Sequence, residues 1–183
     1  RNIFLSISLF LVAFIAPCLA DESSLLTDII SGKFSQQTLP TLTDMGDGEH
    51  YATLSGGLLL ATDYRTGTHI DTIFSPSKLQ NNNIDEVDNF ILVPGDRYIL
   101  ISTRTQKIFR RSASALWYIY DRQKNTLKPL SDTMPLSQPI CSPNGKYIAF
   151  TRDNNIFIHK LDFGTEVAVT TDGKQDSIIN GAT

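Results

Sequence analysis

Ser142-Pro-Asn-Gly-Lys-Tyr-Ile-Ala-Phe-Thr151 is the stretch whose reading decides the fold. Pro143-Asn144-Gly145 is a tight turn in which glycine supplies the positive φ that other residues resist. A short β-branched and aromatic run follows it, the composition of a strand. Two earlier segments share this order: Met45-Gly-Asp-Gly-Glu-His-Tyr-Ala-Thr-Leu54 and Val93-Pro-Gly-Asp-Arg-Tyr-Ile-Leu-Ile-Ser102. Aligned on Tyr51, Tyr98 and Tyr147, the units recur at periods of 47 and 49 residues. Such periods belong to propeller blades or helical arrays, and the turn-then-strand pattern excludes the arrays.

Working outward, the third unit predicts strands over Tyr147–Thr151, Ile156–Leu161 and Glu166–Thr170, with Asp153-Asn154-Asn155 and Asp162-Phe163-Gly164-Thr165 as turns. In the second unit Trp117–Tyr120 and Leu127–Leu130 take the later strand positions, with Asp121–Asn125 as the turn between them. In the first, Leu58–Asp63 and His69–Phe74 flank Arg65-Thr66-Gly67. The one helical pattern is short, Ser24–Ser31, ahead of the first unit. The fold class is therefore all-β: a partial β-propeller of about three blades. Propeller rings close with about four to eight blades, and an open stack leaves unpaired edges. Because the chain ends at Asn180-Gly181-Ala182-Thr183 with no closing strand, residues 21–183 are expected to be the front of a larger propeller.

The first twenty residues differ from the rest. Ile3–Ala16 is almost wholly apolar, follows Arg1, and leads into Pro17-Cys18-Leu19-Ala20 and then Asp21-Glu22. A basic start, a short apolar run and small residues before a polar stretch predict a secretory signal peptide cleaved after Ala20. The run is shorter than the roughly 20 residues a membrane-spanning helix needs. A lipid anchor on Cys18 is the alternative, which Pro17 directly before it disfavours. The expected location is the periplasm or outside the cell. The chain opens on Arg1 rather than methionine, so the gene is expected to extend further at this end.

A net charge of −3 gives no reason to expect a nucleic-acid partner, which would favour a strongly basic face. Beyond the signal only Cys141 remains, so no disulfide can form within the mature chain. Cys141 reads as a small buried apolar residue rather than a nucleophile. His50, His69 and His159 sit on strands or turns with no serine elbow near them and read as structural. Asp85, Glu86 and Asp88 could suggest a calcium loop, but the alternating Asp-x-Asp-x-Asp-Gly frame is missing, and a solvated loop between blades is expected. No metal site and no cofactor is predicted.

One constellation stands out chemically. Gln106–Asp121 places Arg110 and Arg111 at the mouth of a strand, Leu116–Tyr120, built to be buried, and Arg104 and Lys107 add to the patch. Fixed positive charge at the rim of a β-rich core can hold a carbonyl or carboxylate, or can simply be solvated.

Phe109-Arg110-Arg111-Ser112 before Tyr118-Ile-Tyr-Asp121, with Ser142–Phe157 and Thr171-Asp-Gly-Lys-Gln-Asp-Ser-Ile-Ile-Asn-Gly181, resembles the N-terminal propeller of dipeptidyl peptidase IV, especially its bacterial members. The likeness runs from about Leu25 to Thr183. It implies a serine exopeptidase that removes dipeptides from peptide N-termini with proline or alanine second. It further implies an eight-bladed propeller followed by an α/β-hydrolase domain, a possible homodimer, and Arg110 as the residue that binds the substrate's backbone carbonyl, with Arg111 its variable neighbour. The glutamate pair that grips the substrate amino group should follow Asn180-Gly181, where this chain stops. Gly-x-Ser-x-Gly and its aspartate and histidine partners are absent, so no catalytic residue is assigned and this chain alone should hydrolyse nothing. The competing reading is a non-catalytic periplasmic propeller that binds proteins.

Overall fold

The structure, a computed structural model, describes residues 22–36, 40–79, 84, 86–110 and 112–181. The expected signal peptide over residues 1–20, together with Asp85 and Arg111, lies outside the described residues. The chain divides into two units at Leu39 and Pro40. In the first unit, α1 spans Glu22–Ile30 and takes up the helical pattern expected over residues 24–31. Gly32, at φ +79, ends it in the left-handed conformation that glycine adopts without a Cβ clash.

The second unit contains twelve strands among the described residues, arranged as three consecutive four-stranded antiparallel meanders. The first blade is β1 (Thr43–Asp44), β2 (His50–Ser55), β3 (Leu58–Asp63) and β4 (His69–Phe74). The second is β5 (Asn89–Leu92), β6 (Tyr98–Lys107), β7 (Ala113–Asp121) and β8 (Thr126–Pro129). The third is β9 (Leu136–Cys141), β10 (Tyr147–Arg152), β11 (Asn155–Lys160) and β12 (Thr165–Ala168). The all-β partial propeller read from the repeat is what the chain forms. The repeat motif marks the second strand of each blade, and of the strands before it β1 and β5 carried no prediction of their own.

Register corrects the alignment of the repeats in the first blade. The turn that opens each second strand is closed by the same backbone bond: Met45 N to His50 O, Val93 N to Tyr98 O, and Ser142 N to Tyr147 O. The residue equivalent to Tyr98 and Tyr147 is therefore His50, not Tyr51. A one-residue slip moves every side chain to the other face of a strand, so the hydrogen bonds decide and the shared tyrosine misleads.

The blades pack face to face through two apolar layers. Ala52, Leu59, Ala61 and Phe74 of the first blade meet Phe90, Ile99, Ile101 and Tyr120 of the second. On the second blade's other face, Leu100, Trp117 and Ile119 meet Ile148 and Phe150 of the third. Strand alternation explains the division, since Ile99 and Ile101 point one way and Leu100 the other. At the chain turns, Asp63 and Asp121 end the third strands of their blades at equivalent places. Each Oδ1 accepts two backbone amides, Arg65 and Thr66 in one case, Gln123 and Lys124 in the other. These are the side-chain-to-backbone bonds for which aspartate is favoured at turns.

Candidate functional site

The second blade departs from its neighbours at one place. In the first blade β2 turns into β3 through Gly56 and Gly57, between the paired Ser55 and Leu58. In the third, Asp153 and Asn154 make the same two-residue turn between Arg152 and Asn155. The equivalent pair in the second blade is Thr103 and Leu116, and between them run Arg104 to Ala115, twelve residues in place of two. Among the described residues the insertion is a hairpin arm that continues β6 and β7 past the blade.

The arm begins with a bulge. Pairing passes from Thr103–Leu116 to Gln106–Ser114, so that Arg104 and Thr105 oppose Ala115 alone. Arg104 has φ +53, a left-handed conformation uncommon for a side chain of its size. The amide of Thr105 is taken up by the Asp88 carboxylate at 2.6 Å, and the Asp88 amide donates to Ser102 O at 2.9 Å. The returning strand is held from the other side: Ser114 and Ala115 pair with Ser137 and Leu136 of β9, which merges the second and third blades into one sheet. Bulges bend a strand and raise its twist, and here one aims the arm.

At the tip the amides of Ile108 and Phe109 both donate to Ser112 O, at 2.9 and 3.2 Å. Arg110 sits in this tight loop and is exposed, as are Arg104 and Lys107 on the outgoing strand. Ile108 and Phe109 are also exposed, Phe109 at 77 %. Arg110 is thus a solvent-facing guanidinium on an arm anchored at its base from two sides. That arrangement can present charge-assisted donors to an acceptor outside this chain.

The other residues weighed from sequence lie apart from the arm. His50 Nδ1 meets Asp47 Oδ2 at 2.6 Å in the turn before β2. His69 Nδ1 lies 3.1 Å from Ala61 O beside the strand it pairs with. His159 is buried in β11, and burial holds its imidazole below the ordinary value. Burial pushes the Cys141 thiol up to about 11, which keeps it protonated and a poor nucleophile. Among the described residues no group of His, Cys, Asp or Glu side chains could hold a metal ion.

A cavity of about 750 Å³ opens between the second and third blades at the strand ends opposite the arm. Arg97 and Asp121, joined at 2.9 Å, line it together with His159 and Glu166. Behind it Arg152 donates to Glu166 at 2.7 Å and to Ser131 at 2.6 Å, and lies 4.1 Å from the Phe157 ring centroid. Burial acts to raise the Glu166 carboxyl, but the bonds from Arg152 and Ser131 outweigh it and hold the group below its ordinary value. These pairs tie the link between blades to the third blade's outer strand.

Sequence reasoning named Asp88 and Arg104 but missed what each does in shaping the site. Asp88 read as part of a solvated acidic loop, and nothing local marks Arg104 as the bulge. The available signal was the length of the run from Tyr98 to Lys107, too long for one strand of a compact blade.

The comparisons with known proteins agree with this fold. Residues 94–183 match the family model described as dipeptidyl peptidase IV (DPP IV) N-terminal region. The crystal structure of Porphyromonas gingivalis dipeptidyl peptidase 4 superposes with a TM-score of 0.77 at 37% identity, covering 81% of this chain and 22% of that one. A probable dipeptidyl-aminopeptidase B of Arthroderma gypseum is 36% identical over 83 residues, 44% of this chain. The corresponding protein of Aspergillus fumigatus is 26% identical over 130 residues, 66% of this chain. The matches span only 9% and 14% of these two relatives. Together these likenesses support an N-terminal segment of the dipeptidyl peptidase IV kind.

Proposed function

We propose that this chain is the front segment of a serine exopeptidase that releases dipeptides from peptide N-termini, with proline or alanine in second place. One observation carries the reading: the second blade alone among the three extends a twelve-residue hairpin arm, and its tight tip displays Arg110. On this reading Arg110 donates to the backbone carbonyl near the scissile bond. A guanidinium suits the task because its planar fork of donors orients an acceptor and stays charged at any working pH. The catalytic serine, aspartate and histidine belong to an α/β-hydrolase domain of the same parent chain, and the propeller segment helps wall the substrate cavity. A signal peptide over residues 1–20 directs the protein to the periplasm or beyond.

The test is hydrolysis of a Gly-Pro chromogenic substrate by the full-length protein. Arg110→Ala should lower kcat/KM about ten- to a hundredfold, the loss of a charge-assisted hydrogen bond of about 1.5–3 kcal/mol, with Tm unchanged. Arg111→Ala should do much less. A wild-type rate in Arg110→Ala removes that residue from the site. A full-length protein that releases no dipeptide would instead favour a non-catalytic binding propeller.

A further inference from the structure

We infer that Asp88 is a positioning residue for Arg110: its carboxylate fixes the bulge that aims the arm. The inference rests on the reading of Arg110 as a substrate ligand and goes beyond it, since Asp88 touches no substrate. The bulge at Arg104 and Thr105 takes the Thr105 amide out of the β6–β7 ladder, and the Asp88 carboxylate, at 2.6 Å, is the acceptor that replaces the missing partner. Asp88 is itself pinned, because its own amide donates to Ser102 O at 2.9 Å on the same strand. It therefore ties the blade's entry loop to the first residues of the arm.

Leverage makes this contact matter. From Thr105 to Ile108, where the tip loop begins, the outgoing strand advances about 10 Å at about 3.3 Å per residue, so a tilt of about six degrees at the bulge displaces the loop by about 1 Å. Misplacement of a substrate-orienting group by about 1 Å can lower a rate about a hundredfold. The pairing of Ser114 and Ala115 with β9 acts directly on the returning strand and reaches the outgoing one only through the Gln106–Ser114 and Lys107–Ala113 pairs. On the outgoing side, the Asp88 carboxylate supplies the bond at the point where the strand bends.

The test is a double-mutant cycle in the full-length protein on Gly-Pro substrate, with amide hydrogen exchange followed over residues 104–112. Asp88→Ala should lower kcat/KM about tenfold and speed exchange of the Thr105 amide. Asp88→Asn, whose side-chain oxygen can still accept that bond, should stay within about twofold of wild type. In an Arg110→Ala background, Asp88→Ala should add nothing, because both act through one group. Wild-type activity in Asp88→Ala beside an impaired Arg110→Ala overturns the inference and leaves the proposed function standing. So do losses that multiply in the double variant, which would show that Asp88 acts elsewhere. Wild-type activity in Arg110→Ala itself defeats the underlying reading, and this inference with it.

Discussion

At the residue scale, His50 and Asp47 show how a local pair can be sensed by pH. The Asp47 carboxylate accepts His50 Nδ1–H on one oxygen and the amides of Glu49 and His50 on the other. The hydrogen bond with His50, then the two amides, draw Asp47 down to about 2, and the same bond raises His50 above 6.5. The raised imidazole lends stability that is complete below 6.5 and lost as pH rises through its folded value. The lowered carboxylate lends stability present above 3.8 and lost as pH falls towards about 2. The turn should therefore be tightest between 3.8 and 6.5. Exchange of the Glu49 and His50 amides, corrected for intrinsic rates, should be best protected near the middle of that window and less so above it. His50→Gln should flatten the alkaline side, and an unchanged profile would mean that the pair does not govern the turn. Sequence suggested a structural histidine here but not its partner, because three residues of spacing do not say which way an aspartate turns.

At the element scale, the turns opening the second strands do more than reverse the chain. Gly145 and Gly67 share φ +66, but a Cβ on Gly145 would lie 2.1 Å from Pro94 O in the equivalent turn of the second blade, whereas Gly67 faces open space. Gly67→Ala should cost about 1–2 kcal/mol, the strain of the left-handed region alone. Gly145→Ala should cost about 2–4 kcal/mol, since the backbone of the neighbouring turn must also move. Thermal unfolding of the two variants checks this, and equal losses would mean that the contact between turns is slack. The need for glycine in Ser142–Lys146 was legible from turn chemistry. Its second reason, the approach of the neighbouring blade's turn, exists only once the blades stack. The arm is a similar case: its basic residues were plain in sequence, while the bulge and the bonds to Asp88 and β9 are long-range.

At the scale of the whole molecule, equivalent rows of residues face forward from each blade. Ala52 and Ala61 face the second blade, and Leu100 and Ile119 face the third, all buried. The matching row of the third blade, Ile140, Ala149, Ile158 and Val167, runs in register across its four strands, yet Ile140 and Val167 are 67% and 48% exposed. An apolar face beside an edge strand favours association. For residues 40–181 expressed alone, Val167→Lys should raise the monomer fraction measured by light scattering after gel filtration, with Tm held. An unchanged distribution would mean that this face does not drive association.

The sequence by itself determined the blade repeat, the all-β class and the basic tip, because turn residues and the alternation of apolar side chains are properties of neighbours along the chain. Tertiary structure alone decided that His50 rather than Tyr51 occupies the repeat position, that Asp88 accepts the Thr105 amide, and that Gly145 answers to Pro94. Each of these depends on which backbone groups from distant segments meet, and a hydrogen bond between such segments leaves no periodic trace in sequence.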